Sequence, residues 1–385
     1  MTPLSILSKS EYYAPTPILK SDATKRLSDF NIASRVLLGS DVAGYQHQPI
    51  ANFFTAMAPR VEGDFRPPLT GESVRTPGDA GESHDTAPGE EKTGIDAFQS
   101  SAFKFRTPSF GLADLRSTSF EMIDPDSGQL SGTTVFLEIR EIEKEQSFNE
   151  HLRREWKQQL GWDIYAISYD RVLPNVLYYQ EVVARHVHAF SSSDIVEILD
   201  LGGGTGNIAM PLVRQDKHVT VVDTSRAMLD KLRCKLEGSE HRNLSVLEQS
   251  AEDLSQWDDA SFDGVNLQLT LFNMENPNSA LTEAIRVLRP GGLLVVTEPK
   301  RSFDLQAVLD LAGISLRQNG MYEELEEDLK RVVRVNRAID PSLRSSLFVE
   351  DIRKILREVG LLEMWTEESH QGNCLTVCAK KPEVT

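Results

Sequence analysis

From about residue 150 onward the chain predicts an α/β fold with a doubly wound, mostly parallel sheet. Three features carry that expectation. A strand-like run, Ile195 to Leu199, ends in Asp200 and breaks into Gly202-Gly203-Gly204-Thr205-Gly206. An apolar stretch of helical spacing follows, and a second strand, Val219 to Val222, closes on Asp223. Further strand-like and helical segments then alternate to the end of the chain. The first two features make one βαβ unit with a glycine loop at its switch point and a carboxylate at the tip of the next strand. Glycines let a backbone come close to a ligand, and amides at a helix start receive anionic groups. Asp223 sits where a carboxylate accepts hydrogen bonds from both hydroxyls of a ribose. Loop and carboxylate together predict an adenosine-type cofactor.

Glycine spacing separates the cofactors. A dinucleotide loop, G-x-G-x-x-G, would need glycine at 207, which is Asn207. The pattern present is D-x-G-x-G-x-G, Asp200 to Gly206. It resembles motif I of the class I S-adenosylmethionine-dependent methyltransferases. Other landmarks of that family follow in order. Asp223 is followed by Thr224-Ser225-Arg226-Ala227-Met228-Leu229, like the family's D-x-S-x-x-M-L. Leu244 to Leu247 reads as a third strand, with Gln249-Ser250-Ala251-Glu252 after it; Ser250 stands where the family usually has Asp. Ser261-Phe262-Asp263-Gly264-Val265 opens a fourth strand, and Leu288-Arg289-Pro290-Gly291-Gly292 leads into a fifth, Leu293 to Thr297. Ahead of motif I, Trp162 to Asp170 resembles the W-x-x-Y-A-x-x-Y-D stretch that covers the cofactor, and Leu177 to Phe190 reads as the first framework helix.

The resemblance covers about residues 150 to 381. It implies a seven-stranded Rossmann-like methyltransferase sheet and S-adenosylmethionine as cofactor. It also implies cofactor contacts from Tyr169, Asp200, Gly202, Gly204, Gly206, Asp223, Thr224, Met228, Ser250, Ala251 and Gln268, with Met228 beside the adenine. Beyond strand five, 303–318 and 322–338 repeat apolar residues at helical spacing. They are expected to form a lid over the acceptor, with Leu325, Leu329 and Val332 turned inward. Val349 to Val359 reads as the last helix, and Leu361 to Thr366 with Leu375 to Ala379 as a terminal antiparallel hairpin.

At 385 residues the chain exceeds one such domain by about 150 residues. Residues 22–38 and 48–58 read as short helices of an N-terminal extension, 1–58. From Pro59 to Gly94 there are five prolines, six glycines and almost no large apolar residues. Too little surface can be buried there to offset ordering, so 59–97 is expected to be a disordered linker. In 98–150, Ser119 to Ile123 and Thr134 to Ile139 look like a hairpin around 124–128, and Glu141 to Gln159 like a charged helix. The methyltransferase domain is set at 151–381, its lid at about 303–338.

Three cysteines support no disulfide framework. Cys374 and Cys378 share a strand face and read as buried small hydrophobes, so no metal is expected. No membrane-spanning run or signal-peptide pattern is found, and a cytoplasmic location is expected. The formal net charge of −17 opposes nucleic-acid binding, which needs a positive field. Arg331, Arg334 and Arg337 read as a solvated helix face. The expected partner is a small-molecule acceptor, with O or C favoured.

A sulfonium methyl is already electrophilic, so the protein must align the acceptor and exclude water. The family's frequent His-His at the end of strand four is absent; Phe272-Asn273 stands there. Glu298, Tyr169 and, more weakly, His370 are candidate bases, each also explicable structurally, so no catalytic residue is assigned. The alternatives are a protein or RNA methyltransferase recruited by the N-terminal arm, and a non-catalytic cofactor-binding subunit.

Overall fold

The structure, a computed structural model, describes residues 17–22, 27–38, 48, 56, 60–62, 98–123, 130–236, 242–338 and 347–383. It divides into two units, residues 1–157 and 158–385. Among the described residues no helix is long and apolar enough to cross a membrane.

The first unit is built on a six-stranded antiparallel sheet. Its strands are β1 (Ile18–Asp22), β2 (Leu27–Phe30), β3 (Val61–Glu62), β4 (Phe98–Thr107), β5 (Gly111–Ile123) and β6 (Leu130–Ile142), ordered β2-β1-β6-β5-β4-β3. Helix α1 (Ile32–Leu38) starts at Asn31, whose Oδ1 accepts from the Ile18 and Ser34 amides at 2.9 Å each. That cap satisfies an open helix-start donor and pins the helix to β1. Leu19, Leu27, Phe30, Leu37, Phe105 and Leu115 form the core with Phe148 and Leu152 of α2 (Glu145–Val172).

Here the sequence reading needs correction. One helix was expected over 22–38; the segment is two strands and a seven-residue helix. The extension 1–58 and the segment 98–150 are not separate, because β1 pairs with β6, Ile18 opposite Phe136. Such pairing across more than a hundred residues leaves no local signal. The hairpin is longer than expected, and the Glu141–Gln159 helix and the cover stretch are one continuous α2. The helix expected at 48–58, the linker 59–97 and the turn 124–128 lie outside the described residues, apart from 48, 56 and 60–62.

The second unit is a seven-stranded α/β sheet of Rossmann-like type. Helix α3 (Leu177–Ala189) precedes β7 (Glu197–Leu201), α4 (Ala209–Val213), β8 (His218–Asp223), α5 (Arg226–Leu236) and β9 (Leu244–Glu248). The chain then crosses to β10 (Phe262–Gln268), α6 (Pro277–Val287) and β11 (Leu288–Pro299). After α7 (Leu305–Gln318), α8 (Tyr322–Ala338) and α9 (Val349–Glu358) it closes with β12 (Leu362–Ser369) and β13 (Cys374–Lys380). The order is β12-β13-β11-β10-β7-β8-β9, with β13 antiparallel to both neighbours. Helices cover both faces, so the central strands bury apolar residues toward both rather than alternating: Ile198, Leu199, Leu201, Val221 and Val222 are all fully buried. Strand order reverses between β7 and β10, where the loops part and leave a crevice at the strands' carboxyl ends. The expected terminal hairpin is present, with β13 inserted beside β11.

Candidate active site

The glycine loop lies at that crevice. Gly202 has φ 67°, and a Cβ there would fall 2.2 Å from Thr270 Cγ2, so any side chain would displace the segment after β10. Gly203 lies over Asp200: a Cβ would meet Asp200 Oδ2 at 2.6 Å. Asp223 ends β8 and faces the same loop. Its Oδ2 accepts the Gly204 amide at 2.9 Å and its Oδ1 the Ser225 amide at 2.7 Å. Burial pushes its carboxyl up to about 6, against the lowering pull of the Ser225, Gly204 and Thr224 amides. At neutral pH it is ionised, with lone pairs left for further donors.

Two orphaned polar atoms mark the floor. Asp200 Oδ2 and Gln268 Nε2 are buried and have no hydrogen-bond partner among the described residues. They sit at the ends of the neighbouring parallel strands β7 and β10, where Asn266 pairs with Asp200. A buried acceptor and donor left open at a loop stripped of side chains fit a polar ligand. The fit is to an adenosine-type cofactor: a carboxylate for the ribose, open glycine backbone, and floor groups for a polar tail.

Other predicted residues are placed as follows. Met228 is buried, its amide on Ser225 Oγ at 3.3 Å. Ala251 is buried in the core. Ser250 Oγ accepts the Glu252 amide at 3.2 Å, a local turn bond that leaves its hydroxyl proton available. Tyr169 OH lies 3.1 Å from Tyr179 OH, which receives Asn207 Nδ2 at 3.0 Å. Burial lifts Tyr169 well above the usual tyrosine range, and Tyr165 and Tyr179 to about 12.

Sequence reasoning missed a clasp between the cover helix and the loop. Thr205 Oγ1 donates to Asp170 Oδ1 at 2.6 Å, and Lys235 Nζ bonds Asp170 Oδ1 at 2.9 Å and the Thr205 carbonyl at 2.7 Å. The signal was the final Asp of the cover motif, read as part of a stretch and not as a partner of the loop threonine.

Above the crevice, Tyr165, Tyr169, Tyr178, Tyr179 and Trp162 pack with Met228 and with Ala312, Leu316, Leu325, Leu329, Val332 and Val335 of α7 and α8. Leu325, Leu329 and Val332 thus face inward, joined by Val335. Asp328 is also buried, receiving Ser168 Oγ at 2.6 Å, Arg331 at 2.9 Å and Arg171 at 2.6 Å. Arg331 is therefore engaged, whereas Arg334 and Arg337 are exposed. A cavity of about 640 Å³ lies between α7 and α8, lined by Gly313, Arg317, Tyr322, Leu329 and Arg334, and not by the glycine loop.

None of the three candidate bases is held open toward the crevice. Glu298 Oε1 accepts the Thr270 and Leu271 amides at 2.8 and 2.7 Å, capping the short turn after β10, and Oε2 is buried without a partner among the described residues. His370, in the β12–β13 turn at φ 52°, packs against Tyr178 with ring centroids 4.4 Å apart and the planes tilted by 44°, and burial holds it down near 4. Cys374 and Cys378 are buried, their thiols pushed up by desolvation.

Burial pushes the Glu298 carboxyl up to about 8, outweighing the Thr270, Leu271 and Phe272 amides. A carboxyl whose folded value exceeds its unfolded value binds its proton more tightly when folded, so stability falls as pH rises between the two. Asp200, pushed to about 7, acts in the same sense. His186 and His370, held near 4, oppose this only below about 6.5. The melting temperature should therefore be lower at pH 8.5 than at pH 6.5, and Glu298→Gln should flatten that slope. An unchanged slope in the variant would refute the assignment.

Comparison with known proteins gives a consistent picture. Residues 199–296 match the family described as "Methyltransferase domain". The chain is similar to a demethylmenaquinone methyltransferase of Clavibacter sepedonicus, 39% identical over 34% of this chain and 58% of that protein. It is also similar to a ubiquinone/menaquinone biosynthesis C-methyltransferase of Brucella anthropi, 38% identical over 26% of this chain and 39% of that protein. The chain thus spans well under two thirds of these relatives' length. Among solved structures it resembles the N-methyltransferase NodS of Bradyrhizobium japonicum in complex with S-adenosyl-L-homocysteine, with 18% identity, a TM-score of 0.39, and 57% and 99% of the two chains covered.

Proposed function

We propose that this chain, which belongs to the class I S-adenosylmethionine-dependent methyltransferase family through its second unit, methylates a small, electron-rich acceptor, at carbon in preference to oxygen. The observation that carries the reading is the loop itself: open glycines, an ionised Asp223 and two orphaned floor atoms at one switch point. When bound, the cofactor supplies an electrophilic methyl carbon on a cationic sulfur. Asp223 would hold its ribose, Asp200 and Gln268 would serve its amino-acid end, and Met228, Ser250 and Ala251 would border its adenine. Tyr165, Tyr169 and the inner faces of α7 and α8 exclude water and align the acceptor, which is the main task for an already activated donor.

Carbon is favoured because the candidate bases are occupied or turned away. A phenol needs its proton removed in the transition state, whereas an activated ring carbon attacks first and releases its proton to solvent afterwards. The relatives' names, one of them a C-methyltransferase, point the same way. A net charge of −17 disfavours a nucleic-acid acceptor.

A second reading is favoured by one observation: the N-terminal residues build their own sheet and core, as a module that recruits a macromolecule would. Deletion of residues 1–144, just ahead of α2, separates the two. Methyl transfer to small quinol-type ring acceptors should survive it within about tenfold. Loss of methyl transfer to a macromolecular acceptor, with folding and cofactor binding intact, would favour recruitment.

A further inference from the structure

A line of buried polar groups crosses the sheet beneath the glycine loop, and the proposed function above uses only its last member, Asp200. Thr376 of β13, Thr297 of β11, His186 of α3, Asn266 of β10 and Asp200 of β7 are each at most 1% exposed. Thr376 Oγ1 lies 2.7 Å from Thr297 Oγ1, which lies 2.6 Å from His186 Nε2. His186 Nδ1 lies 2.5 Å from Asn266 Oδ1, and Asn266 Nδ2 donates to Asp200 Oδ1 at 2.7 Å. Asp200 Oδ2, at the far end, is the orphan under Gly203.

The proton positions follow from valence. Above about pH 7, the value to which burial pushes it, Asp200 is a carboxylate that only accepts, so Asn266 turns its NH2 toward Asp200 and its carbonyl oxygen toward His186. That carbonyl cannot donate, so His186 carries its proton on Nδ1. Nε2 is then an acceptor and takes the Thr297 hydroxyl proton, and Thr297 Oγ1 in turn accepts from Thr376. Every donor from Thr376 to Asn266 points one way, toward Asp200. Reversing Asn266 would set its oxygen against a carboxylate oxygen at 2.7 Å, which only a protonated Asp200 tolerates.

We infer that His186, as the neutral Nδ1–H tautomer, is a positioning residue that fixes the Asn266 amide so that it holds the ionised Asp200 carboxylate in place as the charged floor of the cofactor loop. The functional half of this inference rests on the reading above that the loop binds S-adenosylmethionine. The tautomer does not. A buried imidazole bonded at both nitrogens has one orientation, and through Asn266 it imposes one on Asp200. A hydrophobic residue at 186 would leave the Asn266 carbonyl buried and unpaired, free to turn over.

The test has two parts. Nitrogen-15 NMR of the uniformly labelled full chain at pH 8, with the His186 signals assigned by their loss in His186→Asn, should show a proton on Nδ1 and none on Nε2. An Nε2–H tautomer or an imidazolium would overturn the inference without touching the cofactor reading. S-adenosylmethionine titrations then compare variants. His186→Leu should weaken binding about tenfold, the effect of leaving a buried acceptor unmade, while His186→Asn, whose amide nitrogen sits near the Nδ1 position, should stay within about threefold. A merely structural role predicts that both variants follow their melting temperatures, and equal binding by both would overturn the positioning role. If His186→Leu does not fold, Thr297→Val, which removes the donor to Nε2, should shift the tautomer signals and weaken binding; no change in either overturns the inference. A wild type that fails to bind S-adenosylmethionine overturns the functional half together with the reading it rests on.

Discussion

Leu329→Asp should abolish most acceptor methylation, lowering turnover at least about a hundredfold, while weakening S-adenosylmethionine binding less than about tenfold. Leu329 is 7% exposed and packs in the cluster that joins α8 to Tyr165, Leu173 and Tyr179. A carboxylate there would be buried with no partner, beside the already buried Asp328, at a cost of several kcal/mol. Among the described residues the α7–α8 hairpin packs chiefly through this cluster, so it should open locally before the sheet unfolds. A lid that has opened no longer aligns an acceptor or keeps water out, whereas the glycine loop, Asp223 and the β7–β10 floor lie outside the hairpin. Some loss of cofactor affinity is expected, because Met228 belongs to the same cluster. Turnover, calorimetric affinity and melting temperature on one variant decide the matter. If all three fall in step, the hairpin is part of the structural core and the acceptor must be sought nearer Tyr165 and Tyr169.

The second unit was legible because its determinants are local. Glycines at 202 and 204 with the carboxylates at 200 and 223 form a pattern inside one βαβ unit, and Arg289 to Gly292 form another at the start of β11. Strand and helix periods therefore fell close to the observed bounds; α8 was placed at 322–338 in both. The first unit was not legible, because its sheet is assembled from partners far apart. β1 and β2 are short, polar in part, and stable only when β6 arrives. Within the candidate site, the residues that the sequence singled out are those whose backbone or charge stands out at their own position. Those whose part was not read act through partners: Asp170 through Thr205 and His186 through Asn266. Leu269 is a further case. It takes φ 53°, a conformation branched residues avoid, and so turns the chain sharply after Gln268. No local pattern announces that bend; it is held by Thr297, whose carbonyl receives the Leu269 amide at 2.8 Å.

The central claim is that the crevice at the carboxyl ends of β7 and β10 binds S-adenosylmethionine through its ribose, and one calorimetric comparison tests it most directly. Asp223 is ionised at pH 7.5 and already carries the Gly204 and Ser225 amides. Two ribose hydroxyls would add two hydrogen bonds to a charged acceptor, each worth about 1.5–3 kcal/mol. Asp223→Ala removes the acceptor and frees the loop amides it orders, so affinity should fall at least about a hundredfold. Asp223→Asn, which keeps the shape and one acceptor oxygen, should fall between the two. The wild type should bind in the micromolar range, and all three proteins should show the same far-ultraviolet circular dichroism. Equal S-adenosylmethionine affinity in the wild type and the folded Asp223→Ala variant would contradict the account.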